Sequence, residues 1–259
     1  MTDVLSVRRF GPRTPPRILA LHGLTGHGQR WESLAVRLGE YSILAPDLLG
    51  HGWSSWAAPW TIDANVAALA NLLRREADAP VWVVAHSFGG AVALRLAATS
   101  PELVAGLILL DPAVGLDGEW MREIADAMLR SPDFADRDAA RADKVSGSWR
   151  EVDAAELERE LDEHLVDLPN GRVGWRIGLP AVMSYWSELA RPIAVPRPGT
   201  PTTVVRAERT EPPYVTEELV ATLREALGSD FTLRDVDCDH MVPLARPAET
   251  ARLIRELVG

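Results

Sequence analysis

Val81-Trp82-Val83-Val84-Ala85-His86-Ser87-Phe88-Gly89-Gly90 passes from a short β-branched apolar run into small residues and then into an Ala/Leu-rich stretch that ends at Ser100-Pro101. Strand, tight turn and helix follow in that order from the change of pattern. A serine at the apex of such a turn tolerates only small side chains two positions away on either side. Ala85 and Gly89 supply them. The string is the G-x-S-x-G nucleophile elbow with alanine replacing its first glycine, and it makes Ser87 the candidate nucleophile. The bland alternative is an ordinary strand-to-helix turn, because a small-x-Ser-x-Gly string also arises by chance.

Four further segments weigh for the elbow. His22-Gly23 follows the apolar run Arg17 to Leu21, and Pro46-Asp47-Leu48-Leu49-Gly50-His51-Gly52 follows Tyr41 to Ala45. Leu109-Leu110-Asp111-Pro112 closes another apolar run, and Cys238-Asp239-His240-Met241-Val242-Pro243 follows Phe231 to Val236. Together these residues resemble the α/β-hydrolase superfamily, whose members carry a His-Gly oxyanion loop, a Gly-His-Gly turn, a serine elbow and a late histidine in this order. The wording of HGLTGHG, PDLLGHG, AHSFGGAVA, LLDPAV and DHMVP is similar to mycobacterial lipase/esterase V-like and related actinobacterial esterases. The resemblance covers nearly the whole chain outside residues 115 to 198.

The coarse pattern agrees with that fold. Strands are predicted at Val4 to Phe10, Arg17 to Leu21, Tyr41 to Ala45, Val81 to Ala85, Gly106 to Leu110, Thr202 to Arg206 and Phe231 to Val236. Helices are predicted at Gln29 to Leu38, Ile62 to Arg75, Gly90 to Thr99, Thr216 to Leu227 and Arg246 to Val258. Alternating short strands and amphipathic helices give an α/β fold with a mostly parallel sheet covered on both faces. The alternation stops between Leu110 and Thr202. There only helical patterns remain, among them Gly118 to Leu129 and Ala154 to Leu168, the latter opened by a capping-box-like Asp153/Glu156 pair. The expected organisation is a core from 1–114 and 199–259, with a helical cap inserted at 115–198 over the active site.

Composition bounds the rest. A chain of 259 residues that is 47% hydrophobic can bury a sizeable core within one α/β domain. No apolar run approaches the ~20 residues of a membrane span, and Met1 to Arg9 lacks the basic-then-apolar pattern of a signal peptide. The single cysteine excludes an internal disulfide framework and fits a reducing cytoplasm. A formal charge of −10 disfavours nucleic acid and anionic membrane surfaces.

Ser87 needs a base, because a serine hydroxyl is a weak nucleophile until a neighbour takes its proton. Six histidines compete. The resemblance gives His22 and His51 structural places in glycine turns. His86 neighbours the nucleophile and should point away from it, His27 lies in the oxyanion loop, and His164 belongs to the acidic cap helix. His240 follows the last predicted strand, as the Ser, acid, His chain order requires. The acid stays open between two carboxylates. Many relatives place it after the strand that here reads Thr202 to Arg206, where Glu211 is available and Glu217 is a weaker choice. Another branch places it after the preceding strand, where Asp111 stands, although an aspartate there also serves as a loop brace. The resemblance assigns the oxyanion donors to the backbone N–H groups of Leu24 and Phe88.

Other features receive plain readings. His22, Asp47, His51 and Asp239 lack metal-ligand spacing, so neither metal nor cofactor is expected. Cys238 is read as a small buried residue, the run Glu156 to Glu163 as a solvated helix face, and Trp120, Trp149, Trp175 and Trp186 mainly as packing between cap and core. The expected activity is hydrolysis of small uncharged carboxylic esters of short to medium acyl length. A serine at the elbow disfavours haloalkane dehalogenase and epoxide hydrolase chemistry, which the superfamily performs with aspartate. C–C bond hydrolase, cofactor-free perhydrolase and a non-catalytic ligand-binding protein of this fold stay open.

Overall fold

The computed structural model describes residues 4–259; residues 1–3, where the stretch read for a signal peptide begins, lie outside the described part. From the N-terminal side come β1 (Val7–Phe10), β2 (Ile18–Leu21), α1 (Glu32–Arg37), β3 (Ile43–Pro46) and α2 (Ile62–Glu76). Next are β4 (Val81–His86), α3 (Phe88–Thr99) and β5 (Val104–Leu110). Between Leu110 and Thr202 lie α4 (Gly118–Arg130), α5 (Arg137–Ser146), α6 (Ala154–His164), β6 (Leu165–Asp167), β7 (Val173–Trp175) and α7 (Leu179–Glu188). The chain then forms β8 (Thr202–Ala207), α8 (Glu217–Leu227), β9 (Phe231–Val236), α9 (Val242–Ala245) and α10 (Pro247–Val258).

Seven strands make one sheet in the order β1-β3-β2-β4-β5-β8-β9. Only β1 runs antiparallel to its neighbour; every other pairing is parallel. A sheet covered on both faces needs strands that are apolar on both sides, and all residues of β2 and β3 are buried. One apolar layer packs α2, α3 and α8 on the sheet through Leu69, Leu73, Val92, Leu96 and Leu223. The other packs α1 and α10 through Leu34, Leu38, Ile254 and Val258. The carboxyl ends of β2, β3, β4 and β5 therefore meet along one edge, and the loops that leave them carry the polar residues described below.

Two local expectations fail between Leu110 and Thr202. The helix predicted to Leu168 stops at His164, and Leu165–Asp167 pairs antiparallel with Val173–Trp175. Pro169-Asn170-Gly171 explains the reversal: it is turn-forming sequence, and Gly171 adopts φ 77°. The segment predicted as wholly helical thus carries a hairpin. At the start of α6, Asp153 caps the helix by accepting from the Ala155 N–H, but Glu156 does not complete the box. Its carboxylate reaches across to Ser33 and Arg159 instead.

A third, smaller apolar cluster joins this segment to the sheet's carboxyl edge. Ala140, Trp149, Leu157 and Leu161 pack with Met241 and Leu244, the residues just after His240.

Candidate active site

Ser87 sits between β4 and α3 at φ 52°, ψ −121°, a left-handed backbone conformation that costs a non-glycine residue ~1–3 kcal/mol. The surroundings hold it there. Ser87 N–H donates to the Leu110 carbonyl at 3.1 Å, and Ala113 N–H donates to the Ser87 carbonyl at 3.1 Å. Gly89 lets α3 press against β2: a Cβ at Gly89 would lie 2.6 Å from the Leu21 carbonyl oxygen and 2.7 Å from that of His22. No hydrogen bond joins Ser87 Oγ to His240 among the described residues.

Asp111 stands one residue beyond β5, also left-handed at φ 45°. Its N–H donates to Val205 O at 2.7 Å, and its Oδ1 accepts from Ala207 N–H at 3.1 Å. Oδ2 accepts from Thr210 Oγ1 at 3.3 Å and lies 2.6 Å from His240 Nδ1. With Nδ1 engaged by the carboxylate, Nε2 is the ring nitrogen left to exchange a proton. The two alternative acids lie elsewhere. Glu211 is exposed, and Glu217, 86% exposed, pairs with Arg206 at 3.1 Å.

The His240 loop is braced from several sides. His240 N–H donates to Asp239 Oδ1 at 2.7 Å, and Asp239 N–H donates to Glu151 Oε1 at 2.9 Å. His86 does more than its sequence position announced. Its Nε2–H donates to the His240 carbonyl at 2.8 Å, and its ring packs 4.6 Å from that of His240. Burial holds the His86 imidazole well below its ordinary pKa, with nearby His240 adding to the effect, so it is neutral at pH 7. Tyr214 packs on His240 at 4.4 Å and on Trp120 of α4 at 5.3 Å. Cys238 is fully buried, and burial pushes its thiol up to about 12.

The loop after β2 passes directly over the elbow, since a Cβ at Gly23 would come within 2.9 Å of Ser87 Cβ. His22 Nε2 accepts from Leu48 N–H at 2.8 Å, which leaves the proton on Nδ1, 2.8 Å from the Gly23 carbonyl. Burial holds His22 well below its ordinary value. Gly26 N–H donates to the same carbonyl at 2.9 Å. In a trans peptide, C=O and N–H point opposite ways in one plane; fixing the Gly23 carbonyl therefore fixes the Leu24 N–H. His51 acts on the next unit: its Nδ1–H donates to Leu49 O at 3.0 Å and its Nε2 accepts from Thr25 N–H at 3.2 Å. Burial pushes His51 down to about 4. Phe88 N–H, at the first position of α3, has no acceptor within its own helix and lies at the positive end of the helix dipole.

The acidic run corrects a sequence expectation. Glu160 is not solvated but 2% exposed, and it bonds Arg30, His27 and Lys144. Arg30 and His27 lie 130 and 133 residues away in the chain and Lys144 16, so no helical spacing announces them. Lys144 lies 4.3 Å from the ring centre of Trp149 and 4.1 Å from that of Trp175. Asp47 is occupied by the N–H groups of Gly28 at 2.7 Å and Trp53 at 2.8 Å. Among the described residues no group of three or more His, Cys, Asp or Glu side chains is arranged to hold a metal ion.

Residues 18–253 match the model of the alpha/beta hydrolase family. Lipase LipV of Mycobacterium tuberculosis is 60% identical over 255 residues, covering 98% of each chain. In three dimensions the chain is similar to the M. tuberculosis esterase Rv0045c, with a TM-score of 0.76 and 26% identity over 100% of this chain and 90% of that one. It also superimposes on E-2-(acetamidomethylene)succinate hydrolase with a TM-score of 0.83, covering 98% and 94% of the two chains, a likeness of fold at 23% identity.

Proposed function

Because this chain belongs to the alpha/beta hydrolase family, we propose that it hydrolyses carboxylic esters through an acyl-enzyme on Ser87. The names of its relatives, a lipase at 60% identity and an esterase of matching fold, bring ester hydrolysis to this chain. The single observation that carries the site is the 2.6 Å bond between Asp111 and His240 Nδ1, made next to the strained elbow.

In this reading, substrate entry brings Ser87 Oγ against His240 Nε2, a contact that commonly tightens only in the loaded enzyme. Ser87 Oγ attacks the ester carbonyl while Nε2 takes its proton. Asp111 holds the imidazole in the required tautomer and stabilises the imidazolium. The negative oxygen of the tetrahedral intermediate accepts from the N–H groups of Leu24 and Phe88, each donor contributing ~3–4 kcal/mol in the transition state. Collapse expels the alcohol, which His240 protonates. Water, deprotonated by His240, then attacks the acyl-enzyme and returns Ser87.

Main-chain donors leave the side chains of Leu24 and Phe88 without a chemical duty. We extend the reading to uncharged acyl esters of short to medium length, in keeping with the apolar character of Leu24, Phe88 and Met241. We assign residues 115–198 to a cap: the cluster of Trp149, Leu157 and Leu161 with Met241 and Leu244 supports its docking over the His240 loop. A single buried cysteine supports a reducing, cytoplasmic setting. Among the described residues no helix is long and apolar enough to cross a membrane.

The test compares wild type and Ser87→Ala on p-nitrophenyl esters of graded chain length, with a fluorophosphonate probe alongside. The variant is expected to keep the fold, lose probe labelling and drop to the roughly 10³–10⁴-fold residual acceleration over water that binding and oxyanion contacts sustain. Near wild-type turnover by Ser87→Ala would remove the serine mechanism.

A further inference from the structure

Glu160 of α6 and Arg30 of the loop after β2 stand 130 residues apart in the chain, yet their side chains are only 2% and 9% exposed and form one ion pair. Glu160 Oε2 accepts from Arg30 Nε at 3.1 Å and from His27 Nε2–H at 2.7 Å. Its Oε1 accepts from Lys144 Nζ at 2.9 Å and also from Arg30 Nη2. Donors on both oxygens hold this carboxylate in one place, and the positive groups around it keep it ionised despite burial.

Arg30 carries that position onward. Its Nη2 donates to the Thr25 carbonyl at 3.0 Å. The guanidinium lies so closely on Gly26 that a Cβ there would come within 2.9 Å of Arg30 Nη1. Thr25, left-handed at φ 63°, is gripped at its N–H by His51 and at its carbonyl by Arg30. Leu24, immediately before it, carries the proposed oxyanion donor. A path of direct contacts therefore runs from a helix of the 115–198 segment to the residue beside that donor.

Resting on the ester-hydrolase reading above, we propose that Glu160 is a positioning residue for the oxyanion hole: through Arg30 it holds the turn at residues 23–26 so that the Leu24 N–H meets the developing oxyanion. Docking of α6 and assembly of the oxyanion hole are then one event. The oxyanion exists only in the transition state and intermediate, so loss of the anchor acts on kcat and leaves ground-state binding in place.

The experiment measures Glu160→Gln with a p-nitrophenyl ester and with a trifluoromethyl ketone, which adds to Ser87 to form a tetrahedral adduct bearing the oxyanion. The expected result is a kcat lowered on the order of 10- to 100-fold, below the ~10²–10³ for complete loss of one donor, with KM within about twofold. Affinity for the ketone falls by the same factor as kcat. Because a lone Glu160 change leaves both Arg30 and Lys144 buried without their counter-charge, the triple variant Glu160→Met/Arg30→Met/Lys144→Met is measured in parallel. Apolar side chains of similar volume commonly replace a buried ion pair without loss of folding, and this variant also removes the tether to Thr25. It is expected to show the same loss. Wild-type kcat and ketone affinity in either folded variant, or a loss carried by KM alone, overturns the proposal. Failure of the wild type to turn over esters or to react with fluorophosphonate overturns the ester-hydrolase reading instead.

Discussion

At the scale of single residues, position in the left-handed backbone region marks the site. Three non-glycine residues have positive φ among those described, Thr25, Ser87 and Asp111, and all three lie in loops leaving the carboxyl ends of neighbouring strands. Asp111 keeps this conformation through bonds at its N–H and at both carboxylate oxygens, and the arrangement aims Oδ2 at His240. Asp111→Asn is expected to leave Ser87 and His240 in place while favouring the wrong tautomer, a change that lowers kcat by about 10⁴ in another serine triad. Exposed Glu211 changed to Gln is expected to keep kcat within a few-fold of wild type. Steady-state kinetics on both variants, at matched melting temperature, separates the two carboxylates; a larger loss in Glu211→Gln would reassign the acid.

Among the elements, the β4-α3 elbow depends on how closely α3 approaches β2. Gly89 sets that distance, and two effects of opposite sign meet there. Alanine improves helix propensity by ~1 kcal/mol, but its Cβ would fall 2.6 and 2.7 Å from two backbone oxygens that cannot rotate away. Overpacking of this kind costs ~1–3 kcal/mol, so the steric term wins. Urea unfolding of Gly89→Ala is expected to give a net loss of stability, and a stabilised variant would contradict the close contact. Elements with strong periodicity were legible in the sequence: all seven sheet strands and α2, α3, α8 and α10 lie where the pattern put them, within a few residues. The hairpin β6-β7 was not, because three-residue strands carry too little alternation and a helical pattern runs into them. Ser87, His240 and both competing acids were legible as candidates, since each follows an apolar strand. The contact between Asp111 and His240, the donor role of His86 and the pairing of Glu160 with Arg30 were not, because each joins residues 129 to 154 apart in the chain.

For the molecule as a whole, burying neutral imidazoles ties stability to pH. His22 and His86 are held well below the ordinary histidine value and His51 down to about 4, in each case chiefly by burial. Unfolded chains take up these protons near pH 6.5, and stability rises with pH wherever the unfolded state binds more protons. The contribution is therefore complete above about pH 6.5 and is lost as pH falls toward 4. His51 alone accounts for roughly 3 kcal/mol across that window. Melting temperatures between pH 7.5 and 5 are expected to fall steadily, before most carboxylates titrate; a flat profile over that range would show that these histidines are not held neutral.

The strand order has a consequence for the chain during synthesis. β5 pairs with β4 on one side, but its other neighbour is β8, which emerges only after the whole 115–198 segment. Until then Leu107, Ile108, Leu109 and Leu110 form the open border of a half-built sheet, an apolar edge of the kind that recruits foreign strands. The nascent chain at that stage holds Ser87 but not His240, the proposed base, which lies beyond β9. On the proposed mechanism, closing the border with β8 still leaves His240 to come, so a ribosome-bound or truncated chain that stops before β8 is expected to be inert toward esters and at its most prone to aggregate.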